Sequence, residues 1–325
     1  MAYTVQIVVT PGSGDGRARS TARRLQKALA RRGYETRVQT FADLDRLLQW
    51  SATCAPEFSH LVAVGGDATL SAAAAAAVRL SIPFVPVPCG FGNMFARAFG
   101  FRDDTRRVIE LFERGQVQLV DVGMANGNEI FLSHRSYGLL AEVQEAVERG
   151  RAQPRSRVRR LLAYYMMGER FLVSAPLTAI RVEVEGTVLT EDGAVVTVAN
   201  VETYRGFLSL TPTASPIDGV LDIFAIPGGS KLRVWTRIFK LLLRLPGCWS
   251  GVSLCHGRNV RVTANGRTDE LTLRRRALPL LVLPQSLEIL KARQTEAETE
   301  VASAGVAACV PLVSESRAAG PRPRT

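Results

Sequence analysis

The chain has 325 residues, of which 46% are hydrophobic and 22% charged, a composition that suits a globular protein with real cores and about two domains. No apolar run reaches the roughly 18 residues that span a bilayer, and YTVQIVVT lacks the length and basic lead-in of a signal peptide, so the expected location is the cytoplasm. Five cysteines (Cys54, Cys89, Cys248, Cys255, Cys309) without a C-x-x-C pair, among only three histidines, exclude a zinc site and a disulfide framework, while the formal charge of +11 favours an anionic partner.

VQIVVT reads as a first strand, closed by the Gly-rich turn TPGSGDG. Ser20 to Arg32 has helical spacing (Ala22, Leu25, Leu29) and stops at Gly33. TRVQT is a second strand, Asp43 to Trp50 a second helix, and LVAV a third strand that runs into GGDATLSAAAAAA. The alanine tract is helix-forming with almost no bulk. IPFVPVP follows as a fourth strand, too Pro-punctuated to be central throughout. Strands alternating with helices over the first 120 or so residues predict a parallel sheet. Beyond Val120 the segments EIFLSHRSYG, AIRVEVEGTVLTEDG, AVVTVANV, GVLDIFAI and NVRVTANG are β-rich with closely spaced turns, predicting an antiparallel sandwich or barrel. Helical segments interrupt it around Val158 to Leu172 and Lys231 to Leu245. The expected organisation is α/β plus all-β. An α/β domain covers 1–121, and a β-rich domain covers 122–291, with its C-terminal end free to pack back on the first. Residues 292–325 are read as a disordered tail.

Three Gly-rich loops stand at predicted strand ends: Gly12 to Gly16, Gly65 to Thr69 and Gly90 to Asn93. In an open parallel sheet such ends share one crevice, where helix N-termini and bare backbone favour an anion. Asp67 repels a phosphate unless a metal or proton donor mediates, which points to Mg²⁺ or general-base work, with a helix cap as the plainer alternative. There is no G-x-x-x-x-G-K-[ST], so this is no Walker-type site.

GGDATL, PCGFGNMFAR and TPGSG resemble, in order, the GGDGT, P-x-G-T-G-N-D-x-A-R and N-P-x-S-G motifs of the diacylglycerol kinase catalytic-domain family, which includes bacterial lipid kinases, sphingosine kinases and ceramide kinases. LVDVGMANGNEIFLSHRSYGLLAEV, the LLAYY helix and VANVETYRGFLSLTPTASPIDGVLDIFAI continue the resemblance to about Leu290. It implies a nucleotide-binding domain and a lipid-binding domain flanking a cleft, with ATP and Mg²⁺ as cofactors and phosphoryl transfer to a lipid hydroxyl. Carried onto this chain, the nucleotide would lie against Pro11, Gly12, Ser13, Gly14, Gly65, Gly66, Ala68, Thr69, Gly90, Phe91, Gly92 and Asn93. Asp67 and Asp121 would be the family's acidic positions, and Asp218 and Asp222 the candidate metal ligands. Departures are Ala68 for a glycine, tolerable only at negative φ, Phe91 for a threonine, Met94 for an acid, and Arg205 to Phe207 for a run of glycines. Where the family has D-G-E with its glutamate as general base, this chain has Asn265-Gly266-Arg267 and then Thr268-Asp269-Glu270. Spacing to LVLPQSLEIL favours Glu270 as the base.

Arginines cluster at Arg149 to Arg160, and Arg233, Arg237, Lys240 and Arg244 share one face of KLRVWTRIFKLLLRL. That is the pattern of an interfacial helix on an anionic membrane, or of an ordinary solvated helix; nucleic acid is disfavoured because no binding motif accompanies the charge. The expected protein is a cytoplasmic, peripherally membrane-associated lipid kinase, with a homodimer admitted. Its rivals are a catalytically silent lipid- or nucleotide-binding relative and an NAD kinase-like enzyme.

Overall fold

Strand β1 (Thr4–Val9) places Val5, Ile7, Val8 and Val9 entirely out of solvent, as a continuous apolar run requires when both faces of a sheet are covered. The computed structural model describes residues 4–10, 16–89, 92–142, 178–202, 210–243, 245, 249–303 and 308–309. β1 pairs in parallel with β2 (Glu35–Thr40) on one side and β3 (His60–Gly65) on the other, and β3 pairs in parallel with β4 (Phe84–Pro88). On its far side β4 meets the rest of the sheet at a single pair, Leu280 with Phe84, as two prolines without N–H donors dictate.

Helices α1 (Arg17–Ala30), α2 (Leu44–Thr53), α3 (Asp67–Leu80), α4 (Met94–Ala98) and α5 (Thr105–Arg114) cover this layer. Asp43 caps α2 by accepting the Arg46 N–H, and Asp104 caps α5 by accepting that of Arg106. Ala72, Ala73, Ala74, Ala76 and Ala77 of α3 are buried, so the alanine tract brings the helix axis close to its neighbours.

The second layer system is antiparallel. Strand β5 (Gln116–Ala125) is followed by β6 (Glu129–Phe131), β7 (His134–Gly138), β8 (Ile180–Val184), β9 (Thr187–Ala199) and β10 (Leu221–Pro227). After helix α6 (Lys231–Leu242) come β11 (Ser253–Gly257), β12 (Asn259–Ala264), β13 (Arg267–Val282), helix α7 (Pro284–Ser303) and β14 (Ala308–Cys309). The main path runs β14-β11-β10-β9-β8-β12-β13-β4-β3-β1-β2, so one sheet joins an N-terminal parallel part to a C-terminal antiparallel, sandwich-like part.

Two boundaries differ from the sequence reading. Residue 121 falls inside β5, which gives Val120 and Val122 to the first core and Ala125 to the second. The C-terminal half of β13 (Leu278, Leu280, Val282) also lies in the first core. The disordered tail read from residue 292 is corrected as far as Ser303, because α7 continues unbroken past Lys291. Its Glu, Ala, Lys and Gln residues carry helix propensity without the apolar period that sequence inspection looks for.

Helix α6 packs Val234 and Leu241 onto β9, β10 and β11 while Leu232, Phe239 and Leu243 stay exposed. Of the four basic residues expected on one free face, Arg233 and Lys240 are exposed, and Arg244 lies outside the described residues. Arg237 is corrected: its guanidinium turns back to donate to the Pro227 carbonyl at 3.4 Å and packs over Gly251. The Arg149 to Arg160 cluster, the LLAYY helix and Arg205 to Phe207 also lie outside the described residues.

Candidate active site

The carboxyl ends of β1, β3 and β4 are tied together by side chains from the Gly-rich loops. Thr10, just past β1, shares a 2.6 Å hydroxyl contact with Thr69 in the first turn of α3. Gly65 must lack a Cβ because that atom would stand 2.6 Å from Thr69 Cβ. Asp67 reaches the third loop: its Oδ2 accepts the Asn93 N–H at 2.6 Å and its Oδ1 the Met94 N–H at 3.0 Å. The carboxylate therefore caps the start of α4. A Cβ on Gly92 would lie 2.6 Å from Asp67 Oδ2, so glycine there is a condition of the contact. Gly66 precedes α3 with extended backbone, and Ala68 lies within the helix at negative φ, which makes the loss of the family's second glycine harmless. Pro11, Gly12, Ser13, Gly14, Gly90 and Phe91 lie outside the described residues.

Asp67 and Ala68 face a cavity of about 500 Å³ walled by Leu44 and Leu48 of α2, Ser71 of α3, and residues of β6 and β7. Leu44 and Leu48 are exposed apolar side chains at this wall. Across from them Arg135 pairs with Glu129 and stands over the Phe131 ring at 5.9 Å. Tyr137 lines the same cavity, and its hydroxyl donates to Asp269 Oδ2 at 2.8 Å, while Asn126 Nδ2 donates to Asp269 Oδ1 at 3.0 Å. Burial, reinforced by the Asp269 carboxylate, holds the Tyr137 proton far above the ordinary phenol range.

Glu270 lies in β13 beside Asp269. Adjacent residues of a strand point to opposite faces, and β13 sends Asp269 towards Tyr137 and Glu270 the other way. Glu270 ends an exposed ladder in which Arg261 reaches both Glu270 (3.2 Å) and Glu183 (3.1 Å), and Arg181 reaches Glu183 and Glu191 (each 2.7 Å). Arg267 is exposed beside the two-residue turn Asn265-Gly266, whose φ values of 52° and 73° suit a tight hairpin.

Asp121 lies in β5. It is 2% exposed, and both carboxylate oxygens are engaged by main chain, Oδ1 by the Arg276 N–H at 2.6 Å and Oδ2 by the Gly219 N–H at 2.8 Å. It fastens β5 to the bulge in β13 and to the turn before β10.

Among the described residues no group of three or more His, Cys, Asp or Glu is placed to hold a metal ion. Asp222 Oδ1 accepts from Thr213 Oγ1 at 2.5 Å and lies 3.3 Å from His256 Nδ1; Asp218 accepts from Val220 N–H and from Gln294 of α7. A magnesium ion would be held at the Asp67 cavity, where one half-buried carboxylate could act beside phosphate oxygens and water.

The Asp222 contact raises His256 above its ordinary 6.5, and partial burial followed by the Asp222 charge pushes Asp218 up to about 7. Both shifts are upward, so the folded chain holds these protons more tightly than the unfolded one. The stabilisation is complete below the unfolded values and is lost as pH rises through the folded ones; the exposed edge of Asp218 screens its share. Melting temperature should fall from pH 3.8 to about pH 7 through Asp218 and further above pH 6.5 through His256, and His256→Gln should flatten the upper part of that slope. Parallel curves for the two proteins would contradict the assignment. Cys89, buried behind the third loop, has its thiol pushed up to about 11 mainly by burial and is no nucleophile.

A parallel sheet with Gly-rich loops at its carboxyl edge, joined to an antiparallel sandwich-like part, defines a two-part α/β plus β fold. Residues 4–125 match the diacylglycerol kinase catalytic domain, and residues 134–290 match the YegS C-terminal NAD kinase beta sandwich-like domain. The two matches span most of the chain, which belongs to the diacylglycerol kinase family. It is 26% identical over 246 residues to a diacylglycerol kinase of Bacillus subtilis, covering 74% of this chain and 78% of the relative. A diacylglycerol kinase of Staphylococcus aureus is 24% identical over 232 residues, covering 70% and 71%. The crystal structure of a diacylglycerol kinase from Bacillus anthracis superposes with a TM-score of 0.65 at 19% identity, covering 87% of this chain and 98% of that one, which establishes the shared fold.

Proposed function

We propose that this protein transfers the γ-phosphoryl group of MgATP to a hydroxyl of a diacylglycerol-like or sphingoid lipid in the Asp67 cavity. The observation that carries the reading is the binding of Asp67 to the amides of the third loop at the mouth of a cavity that is apolar on one wall and polar on the other. Family membership supports the same chemistry. Nucleotide phosphates would lie along the Gly-rich loops, with Asp67 holding the ion that neutralises them. The lipid oxygen bonds to phosphorus, the bridging bond to ADP breaks, and the hydroxyl proton must leave. Tyr137 and Asp269 supply its path: the proton passes to Tyr137 Oη as the phenolic proton moves to Asp269 Oδ2.

Access would come from the membrane surface. No helix among the described residues is long and apolar enough to cross a membrane, but α6 exposes Leu232, Phe239 and Leu243 beside Arg233 and Lys240, which suits a helix lying in an anionic interface.

Asp269→Asn should lower kcat by roughly 10²-fold with little change in MgATP affinity, while Glu270→Gln should stay within a few-fold of wild type. The opposite ranking would restore Glu270 as the base. Full activity in both variants would remove a carboxylate base from the account. The second reading, a silent lipid-binding member, is favoured by Arg267 in place of the family's glutamate; MgATP binding without turnover of any lipid would select it.

A further inference from the structure

We propose that the groove between α4, α5 and α7 is a second anion site, built to hold a phosphomonoester group and separate from the Asp67 cavity. Arg97 of α4, Arg102 of the following turn, Arg107 of α5 and Arg293 of α7 line one cavity of about 410 Å³. A neighbouring cavity of about 460 Å³ shares Arg97, Arg102 and Arg293 and extends the groove. A solvated basic face arises on one element at helical spacing. Here three guanidinium groups come from the successive segments 97–107 and the fourth, Arg293, from the distant α7, which is fixed in place by Leu287 and Leu290 in the first core rather than by its charges.

The groove carries a surplus of positive charge. Arg107 pairs with Glu110 at 2.8 Å, but Arg102 and Arg293 form no ion pair among the described residues. Two carboxylates line the groove: Asp104 in the main cavity is engaged in capping α5, and Asp103 in the neighbouring one pairs with Arg24 at 3.3 Å. Like charges gathered this way lose energy unless a polyvalent anion binds between them, and forked guanidinium groups match the oxygens of a phosphate. Ile289, 53% exposed and one turn before Arg293, lines the same cavity and gives it an apolar margin. The ligand chemistry is therefore a phosphomonoester, carried either on a lipid or as free phosphate. The main cavity shares no lining residue with the Asp67 cavity, while its neighbouring extension reaches Asn93, whose amide Asp67 binds.

The test uses the full chain with two probes: phosphatidylcholine vesicles doped with phosphatidate, and inorganic phosphate titrated calorimetrically. Arg102→Gln/Arg293→Gln removes two exposed side chains, and its melting temperature should match that of wild type. Arg19→Gln/Arg23→Gln removes the same charge from the exposed face of α1 and serves as the control. Affinity for at least one probe should fall about tenfold in the groove variant and hold in the control, as expected for losing charge-assisted bonds. Loss confined to vesicles identifies a lipid phosphate; loss with inorganic phosphate identifies a soluble one. Equal affinity in wild type and groove variant, equal loss in both variants, or no binding of either probe by wild type would overturn the proposal.

Discussion

Asp67→Asn should cost both stability and activity. The carboxylate serves two amides with two oxygens, so an asparagine can satisfy one and must turn its own NH₂ towards the other. Leaving that N–H facing a donor costs about 1–3 kcal/mol, visible as a lower melting temperature. Turnover should fall by roughly 10²-fold or more, since the charge that would hold the metal is gone and the third loop shifts against the second. Gly92→Ala separates these effects: it keeps the charge but pushes it from its seat, because the new Cβ lies 2.6 Å from Oδ2. Intermediate activity is expected there. Wild-type turnover and melting temperature in Asp67→Asn would show the contact to be incidental.

Asp121→Asn should behave differently, as a stability variant. The buried carboxylate holds the N–H of Arg276, whose φ of 49° is a conformation that costs an L-residue energy, and the N–H of Gly219. Replacing it should lower unfolding free energy by roughly 1.5–3 kcal/mol in urea, the scale of bonds to a charged group. Protein that remains folded should turn over within a few-fold of wild type. An unchanged urea midpoint combined with lost turnover would return Asp121 to the chemistry.

These two aspartates show what could be read from sequence and what could not. The strands, the Gly-rich loops and their placement at strand ends were legible because each is a local pattern of apolar runs, glycines and turns. Which atoms Asp67 touches was not, because the amides of Asn93 and Met94 belong to another loop and meet it only when β3 and β4 pair. Asp121 is legible only as an acid at a motif position; its burial and its two main-chain partners are not written beside it in sequence. Strand alternation already implied that Asp269 and Glu270 face opposite ways. Which of them faces the cavity depends on the β12–β13 hairpin register and on Tyr137 in β7, a contact across 132 positions of sequence. Spacing put Arg237 on the basic face of α6, yet Gly251 leaves room for the guanidinium to fold back, and helical periodicity carries no information about a neighbour's missing side chain.

The most direct measurement is transfer of label from γ-labelled ATP, with Mg²⁺, to a panel of diacylglycerol, sphingoid base, ceramide and NAD presented with anionic vesicles. The account predicts label in a lipid hydroxyl product, dependent on Mg²⁺ and absent with NAD. Label in NAD, or none in any acceptor although the protein binds MgATP, would contradict it.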